Sequence, residues 1–184
     1  MFGGILSRRD LQKDNEQIAE YEIPEIDLVI VDLYPFEATV AAGADEPTTI
    51  EKIDIGGISL IRAAAKNFKD VVIVASQDQY QPLLEVLEAN GAQTTIEERR
   101  WFAKEAFAVS SHYDAAIFNY FDGDEKSHFR LTQNNAKTLR YGENPHQRGV
   151  FFGKFDEMFE QLQGKEISYN NLLDIDAAVN LIND

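Results

Sequence analysis

Three short segments concentrate groups able to stabilise negative charge or move a proton: Asp32-Leu33-Tyr34-Pro35-Phe36, Asp54-Ile55-Gly56-Gly57 running into Arg62-Ala63-Ala64-Ala65-Lys66-Asn67, and Arg140-Tyr141-Gly142-Glu143-Asn144-Pro145-His146-Gln147. In the second, a carboxylate precedes two glycines that permit close backbone approach, and the unpaired N–H groups of a helix start attract an oxyanion. The simpler reading of the same four residues is Asp54 as an N-cap over a tight glycine turn. Arg62 and Lys66, four apart, read most simply as a solvated basic stripe. The three alanines between them suit close packing against a ligand or another element. Tyr34 follows directly on a β-branched apolar run, and open parallel sheets bind ligands at the carboxyl ends of their strands. The plainer alternative has Tyr34 and Phe36 closing the end of the core, with Pro35 fixing the turn. Arg140 offers a planar fork for phosphate and Tyr141 a face for a flat ring; a polar interdomain loop accounts for them equally, and Asn144-Pro145 marks a turn either way. In Gly164 to Asp174, Asn171 or Asp174 caps a helix or presents its polar group to a ligand, capping being the simpler role.

Composition narrows the partners. With 32 Asp+Glu against 17 Lys+Arg the formal charge is −15, which argues against a nucleic-acid surface and leaves an anionic small molecule to a few local cations and helix N-termini. The absence of cysteine removes disulfides, thiolate zinc sites and cysteine nucleophiles, and three scattered histidines make a poor metal site. No apolar run approaches the roughly 18 residues of a membrane span, and Met1 is not followed by the basic-then-apolar order of a signal peptide. The expectation is a soluble, cytoplasmic, globular protein without metal or tightly bound cofactor.

The elements that must position these groups are legible in outline. Ile26–Leu33 and Asp70–Ala75 are β-branched apolar runs, the pattern of parallel strands buried on both faces. Helices are expected over Leu11–Tyr21, from near Pro47, over about Ile58–Asn67, and over Gln77–Asn90 with Gly91 as the C-terminal cap. Thr95 and Glu98 form a capping-box pattern ahead of one long amphipathic helix whose apolar positions include Phe102, Ala106, Val109, Tyr113, Ile117 and Tyr120. That aromatic stripe is read as core or dimer packing. The polar stretch Asp122–Ser127 breaks the pattern, Phe129–Leu131 reads as a short strand, and a domain boundary falls between about Asp122 and Thr138. Alternating strands and helices give an α/β class, yet two strands are few for a sheet that normally carries about four to six. Both ends of the chain read as cut.

In this order and spacing the three segments resemble the bifunctional purine-biosynthesis enzymes that formylate aminoimidazole carboxamide ribonucleotide and close the ring to inosine monophosphate (IMP). The resemblance implies that residues 1–132 are the later part of an IMP cyclohydrolase domain with a methylglyoxal-synthase-like parallel sheet. Residues 133–184 would then be a linker and the opening of a second, cytidine-deaminase-like α/β formyltransferase domain. It implies catalytic roles for Tyr34, Asp54 and Lys66. Contacts to the nucleotide would come from Asp32, Leu33, Ile55, Gly56 and Gly57, and substrate contacts on the transferase side from Arg140, Tyr141 and Asn171. It further implies a homodimer, a purine nucleotide substrate with IMP as product, and 10-formyltetrahydrofolate as co-substrate of the full-length protein. Several family groups are missing: a catalytic lysine and phosphate loops on the N-terminal side, and a Lys-His pair on the C-terminal side. The chain alone is therefore expected to be inactive. Asp32 stands where the family often has Asn, and Phe68 where it often has His. A regulatory module of the same fold that binds a phosphorylated metabolite without turnover is the alternative. At about 1.5 Å rise per residue Lys66 lies more than about 10 Å along a helix from Ile58, so the segment either departs from straight helix or serves opposite ends of a ligand.

Overall fold

The computed structural model describes residues 1–123 and 128–183 and forms two compact units, Met1–Arg130 and Leu131–Asp184. In the first unit the elements follow as α1 (Phe2–Leu6), α2 (Gln12–Glu20), β1 (Leu28–Ile30), α3 (Phe36–Ala41), α4 (Glu46–Ile50), α5 (Gly56–Lys66), β2 (Val72–Val74), α6 (Tyr80–Ala89) and α7 (Ile96–Asp122). β1 and β2 pair in parallel, Leu28 opposite Val72 and Ile30 opposite Val74, so a right-handed α/β crossover is the natural way to join them. The result is a mixed α/β unit with a small parallel sheet.

One face of the sheet, carrying Val29 and Ile73, packs on Ile61, Ala63, Ala64 and Ala65 of α5 and on Ala103 and Ala106 of α7. Those alanines are small so that helix and sheet backbones can approach, which answers why α5 reads Ala63-Ala64-Ala65: they pack on another element of the fold. The other face, with Val72 and Val74, is covered by Leu83 of α6 and Phe102 of α7. That cover stops at β2. Leu28 and Ile30 share this face and stay 37% and 49% exposed, so the expectation of two strands buried on both sides holds for β2 and fails for β1.

The helix signals act as expected at most ends. Asp45 accepts from the Thr48 N–H at 3.0 Å and Pro47 lies in the first turn of α4. The Thr95–Glu98 capping box is complete at the start of the 27-residue α7. Beyond α6, Gly91 has φ +62° and the Ala92 N–H reaches back to the Leu87 carbonyl at 2.8 Å, the closing bond of a Schellman turn. Two expectations shift. α5 begins at Gly56, so the glycines form its first turn instead of a turn before it. α3 has no counterpart in the sequence reading, because it is held by tertiary contact: Phe36 is buried against the rings of Tyr113 and Tyr120, and Glu37 meets His112 at 2.9 Å.

In the second unit β3 (Ala136–Thr138) and β4 (Val150–Phe152) form an antiparallel pair, followed by α8 (Phe155–Met158) and α9 (Tyr169–Asn183). The strand expected at Phe129–Leu131 is absent: both residues are strongly exposed, and the Arg130 carbonyl is taken by the Asn119 side chain at 3.2 Å. A strand needs a partner for its backbone groups, and the pairing forms farther along, where Phe151 and Phe152 oppose Lys137 and Ala136. Of the polar stretch 122–127, residues 124–127 lie outside the described residues.

Candidate functional site

The exit of β1 and the entry to α5 come together in the first unit. After Ile30 the chain leaves the sheet through Asp32, Leu33 and Tyr34, and the Phe36 N–H bonds to the Tyr34 carbonyl at 2.8 Å, folding the Tyr34-Pro35-Phe36 turn. Phe36 goes into the core, Leu33 packs against the main cluster, and Tyr34 remains 56% exposed. Phe36 closes the core as the plainer reading has it, while Tyr34 does not join it and faces outward. The Lys52 ammonium stands 5.8 Å from the Tyr34 ring centre, a cation over an aromatic face.

Two residues beyond Lys52, Asp54 stands just ahead of α5. Its Oδ1 accepts from the Gly57 N–H at 2.6 Å, the geometry of an N-cap. A Cβ at position 57 would lie 2.6 Å from Asp54 Oδ2, so glycine there leaves room for the carboxylate. At Gly56 the same construction meets nothing within 4 Å: the helix start is open on that side, and Ile55 beside it is exposed. The backbone of this turn is fixed from α7. The Tyr113 hydroxyl donates to the Lys52 carbonyl at 2.7 Å and accepts from the Asp54 N–H at 2.8 Å. Burial raises the Tyr113 pKa above the ordinary phenol value, so the group stays a neutral donor and acceptor. Lys52 and Tyr113 carried no sequence signal for a site; Tyr113 was legible only as one apolar step of α7.

Asp32 turns the other way. Its carboxylate accepts from the Tyr80 hydroxyl at 2.6 Å and from the Gln77 amide at 3.4 Å, donors supplied by the chain just after β2. The bond to Asp32 raises the Tyr80 pKa, since removing the phenol proton would destroy it. Lys66 is not part of this cluster. α5 is helical throughout, with Asp54 at one end and Lys66 in the last turn, and about 15 Å of helix separates Gly56 from Lys66. Arg62 lies on the same exposed stripe, over the Phe107 ring at 5.7 Å.

In the second unit Arg140 to Gln147 forms the turn between β3 and β4, closed by the Gly142 N–H to the Gln147 carbonyl at 2.8 Å. Gly149 sits so close to Tyr141 that a Cβ would lie 2.8 Å from its carbonyl oxygen. The Arg140 guanidinium stacks 5.0 Å from the Tyr141 ring. Asn171 works as a cap: its Oδ1 accepts from the Ser168 N–H at 3.1 Å and the Ser168 hydroxyl at 2.9 Å, at the start of α9. Arg140 and Asn171 also line one groove of about 850 Å³ with Phe159, Lys165 and Ile175. An apolar groove of about 400 Å³ between α6 and α7, lined by Val86, Trp101 and Phe102, includes none of the candidate catalytic or substrate-binding residues. Among the described residues there is no cluster of metal-ligating side chains, and no helix is long and apolar enough to cross a membrane.

Residues 64–184 match the family model described as the AICARFT/IMPCHase bienzyme. The chain belongs to this family. Over all 184 residues it is 72% identical to the bifunctional purine biosynthesis protein PurH of Bacteroides thetaiotaomicron, spanning 36% of that relative's length. It is 48% identical to PurH of Rhodospirillum rubrum, over 99% of this chain and 36% of the relative. Membership in the bienzyme family thus rests on a segment about a third the length of its curated relatives. A crystal structure of ForH superposes with a TM-score of 0.54 at 36% identity, covering 65% of this chain and 62% of that one.

Proposed function

We propose that the chain is the middle part of a bifunctional enzyme of purine biosynthesis. Unit one contributes the base-facing half of an IMP cyclohydrolase site on a methylglyoxal-synthase-like fold. Unit two is the linker and opening of a cytidine-deaminase-like formyltransferase domain, whose one-carbon donor is 10-formyltetrahydrofolate. The observation that carries this reading is the convergence of Tyr34, Lys52 and Asp54 at a strand exit and a helix start. The 72% identity to PurH supports it along the whole chain. The setting proposed is the cytoplasm, where the purine nucleotide substrate is the partner.

In the ring closure a carboxamide nitrogen attacks a formyl carbon, a tetrahedral oxyanion forms, and water leaves. The barrier falls if donors meet the developing negative charge and a base accepts the amide proton. Tyr34, Lys52 and the start of α5 are placed to supply donors. Gly57 is a weaker candidate than the sequence implied, because its N–H is already bound to Asp54 Oδ1; Gly56, with open space where a Cβ would stand, is the one a ligand could approach. Asp54 retains Oδ2 to accept the proton. In the second unit Arg140 and Asn171 are proposed to hold the transferase substrate at the groove they border, with Tyr141 contributing through its ring beside Arg140.

Lys66 requires a separate account. With about 15 Å of helix between it and the Asp54 end, its side chain covers only part of the distance. We place its catalytic role in a homodimer, where Lys66 of one copy completes the site built around Asp54 of the other. The direct test is a full-length chimera in which this chain replaces the matching segment of the Bacteroides thetaiotaomicron relative. Asp54→Asn there should lower cyclohydrolase turnover about a hundredfold or more with folding intact. Tight nucleotide binding with no turnover in the unaltered chimera would favour the regulatory module instead.

A further inference from the structure

We propose that Tyr113 is a positioning residue of the cyclohydrolase site, acting through the peptide segment Lys52–Asp54; this rests on the site reading above. Three contacts converge on this one side chain. Its hydroxyl donates to the Lys52 carbonyl at 2.7 Å and accepts from the Asp54 N–H at 2.8 Å, so both of its hydrogen-bonding functions are spent on the turn that starts α5. Its ring packs edge-on against Phe36 at 6.2 Å, and Phe36 is bonded through its N–H to the Tyr34 carbonyl. A single residue on α7 thereby sets the two walls of the site: the turn bearing Lys52 and Asp54, and the turn bearing Tyr34.

The tie is long-range and rigid. Tyr113 is 59 residues from Asp54 in sequence, is only 7% exposed, and stands on the helix that packs most extensively against α5. The segment's other ties are local: the Lys52 and Ile53 N–H groups reach back to the Thr49 and Ile50 carbonyls, each at 3.0 Å. Ile55 is exposed, a Cβ at Gly56 would meet nothing within 4 Å, and among the described residues the Asp54 side chain bonds within its own helix start. Without the hydroxyl, the Lys52 carbonyl and Asp54 amide turn toward water, and the carboxylate and ammonium lose their common frame. A displacement of about 1 Å in a catalytic group costs on the order of a hundredfold in rate, so a fall of about tenfold or more in kcat is expected from partial loosening.

The test compares Tyr113→Phe, Tyr113→4-aminophenylalanine and Asp54→Asn in the full-length chimera. Cyclohydrolase kcat and KM are measured per folded molecule, and formyltransferase turnover of the same polypeptide serves as internal control. Tyr113→Phe should lower cyclohydrolase kcat about tenfold or more, with KM changed less than about threefold and the formyltransferase unaffected. The 4-amino variant, which keeps the donor to the Lys52 carbonyl but only a weak acceptor for the Asp54 N–H, should raise kcat at least about threefold above that of Tyr113→Phe. A structural role alone would lower the folded fraction and both activities together. If Asp54→Asn is inactive while Tyr113→Phe turns over like wild type, positioning by Tyr113 is wrong and the site reading stands. Wild-type turnover in Asp54→Asn removes the site reading and this proposal with it. Should Tyr113→Phe fail to fold, hydrogen exchange of the Asp54 amide in the unaltered protein decides: protection supports the bond, and exchange at the rate of an exposed loop overturns it.

Discussion

Two variants that are each inactive should repair one another if the cyclohydrolase site is shared between copies. Asp54 and Lys66 stand at opposite ends of α5, with about 15 Å of continuous helix between Gly56 and Lys66. The helix cannot bend to bring them together, because Ile61, Ala63, Ala64 and Ala65 are packed into the core and contain no kink-forming residue. Consider Asp54→Asn and Lys66→Ala chains of the full-length chimera, co-expressed in equal amounts and pairing at random. About half the dimers are mixed, and each mixed dimer has one site with both native groups and one with neither. About a quarter of all sites are then intact, so activity should recover from about a hundredth or less in either variant alone to about a quarter of wild type. Mixed dimers isolated with two affinity tags should show about half. The assay is formation of IMP from the formylated ribonucleotide, normalised to folded protein. If both residues act in a site within one chain, no mixed dimer contains an intact site and mixing restores nothing. That result would place Lys66 at the far end of a single ligand or outside the mechanism.

Two further outcomes concern local stability. Thr95→Ala removes the acceptor for the Glu98 N–H at the head of α7 and should cost about 1 kcal/mol in denaturant unfolding, while Ser at 95 should cost little. Asp14 is held at a pKa of about 2 by the hydrogen bond from the Arg8 side chain, with the Arg8 backbone N–H adding to it. A carboxylate depressed in the folded state contributes stability above its ordinary pKa, and the contribution fades as pH falls through about 2. NMR titration of the Asp14 carboxyl should show that low midpoint, and Arg8→Ala should return it toward the ordinary carboxylate range; an unchanged midpoint would rule Arg8 out as the cause.

The sequence by itself determined the parts of this protein that local chemistry fixes. The capping box at Thr95 and Glu98, the Pro47 helix start and the β-branched strands at Val29 and Ile73 are written in neighbouring residues, because caps, turns and apolar periodicity act over a few positions. The motifs around Tyr34, around Asp54 and Lys66, and at Arg140–Gln147 together also pointed to the family. Tertiary structure decided what those motifs do. Only packing shows that Ala63-Ala64-Ala65 is core and that α6 covers β2 and leaves Leu28 and Ile30 half-exposed. α3 exists because Phe36 finds Tyr113 and Tyr120, residues far along the chain that no local window contains. The same holds for the site. Gly57 is bound by Asp54 and Asp32 is turned toward Tyr80. Lys66 is carried a helix length away, and Tyr113 reaches Asp54 across 59 residues. Each of these depends on where the chain returns in space, and that is set by burial of the whole core, which no short stretch of sequence specifies.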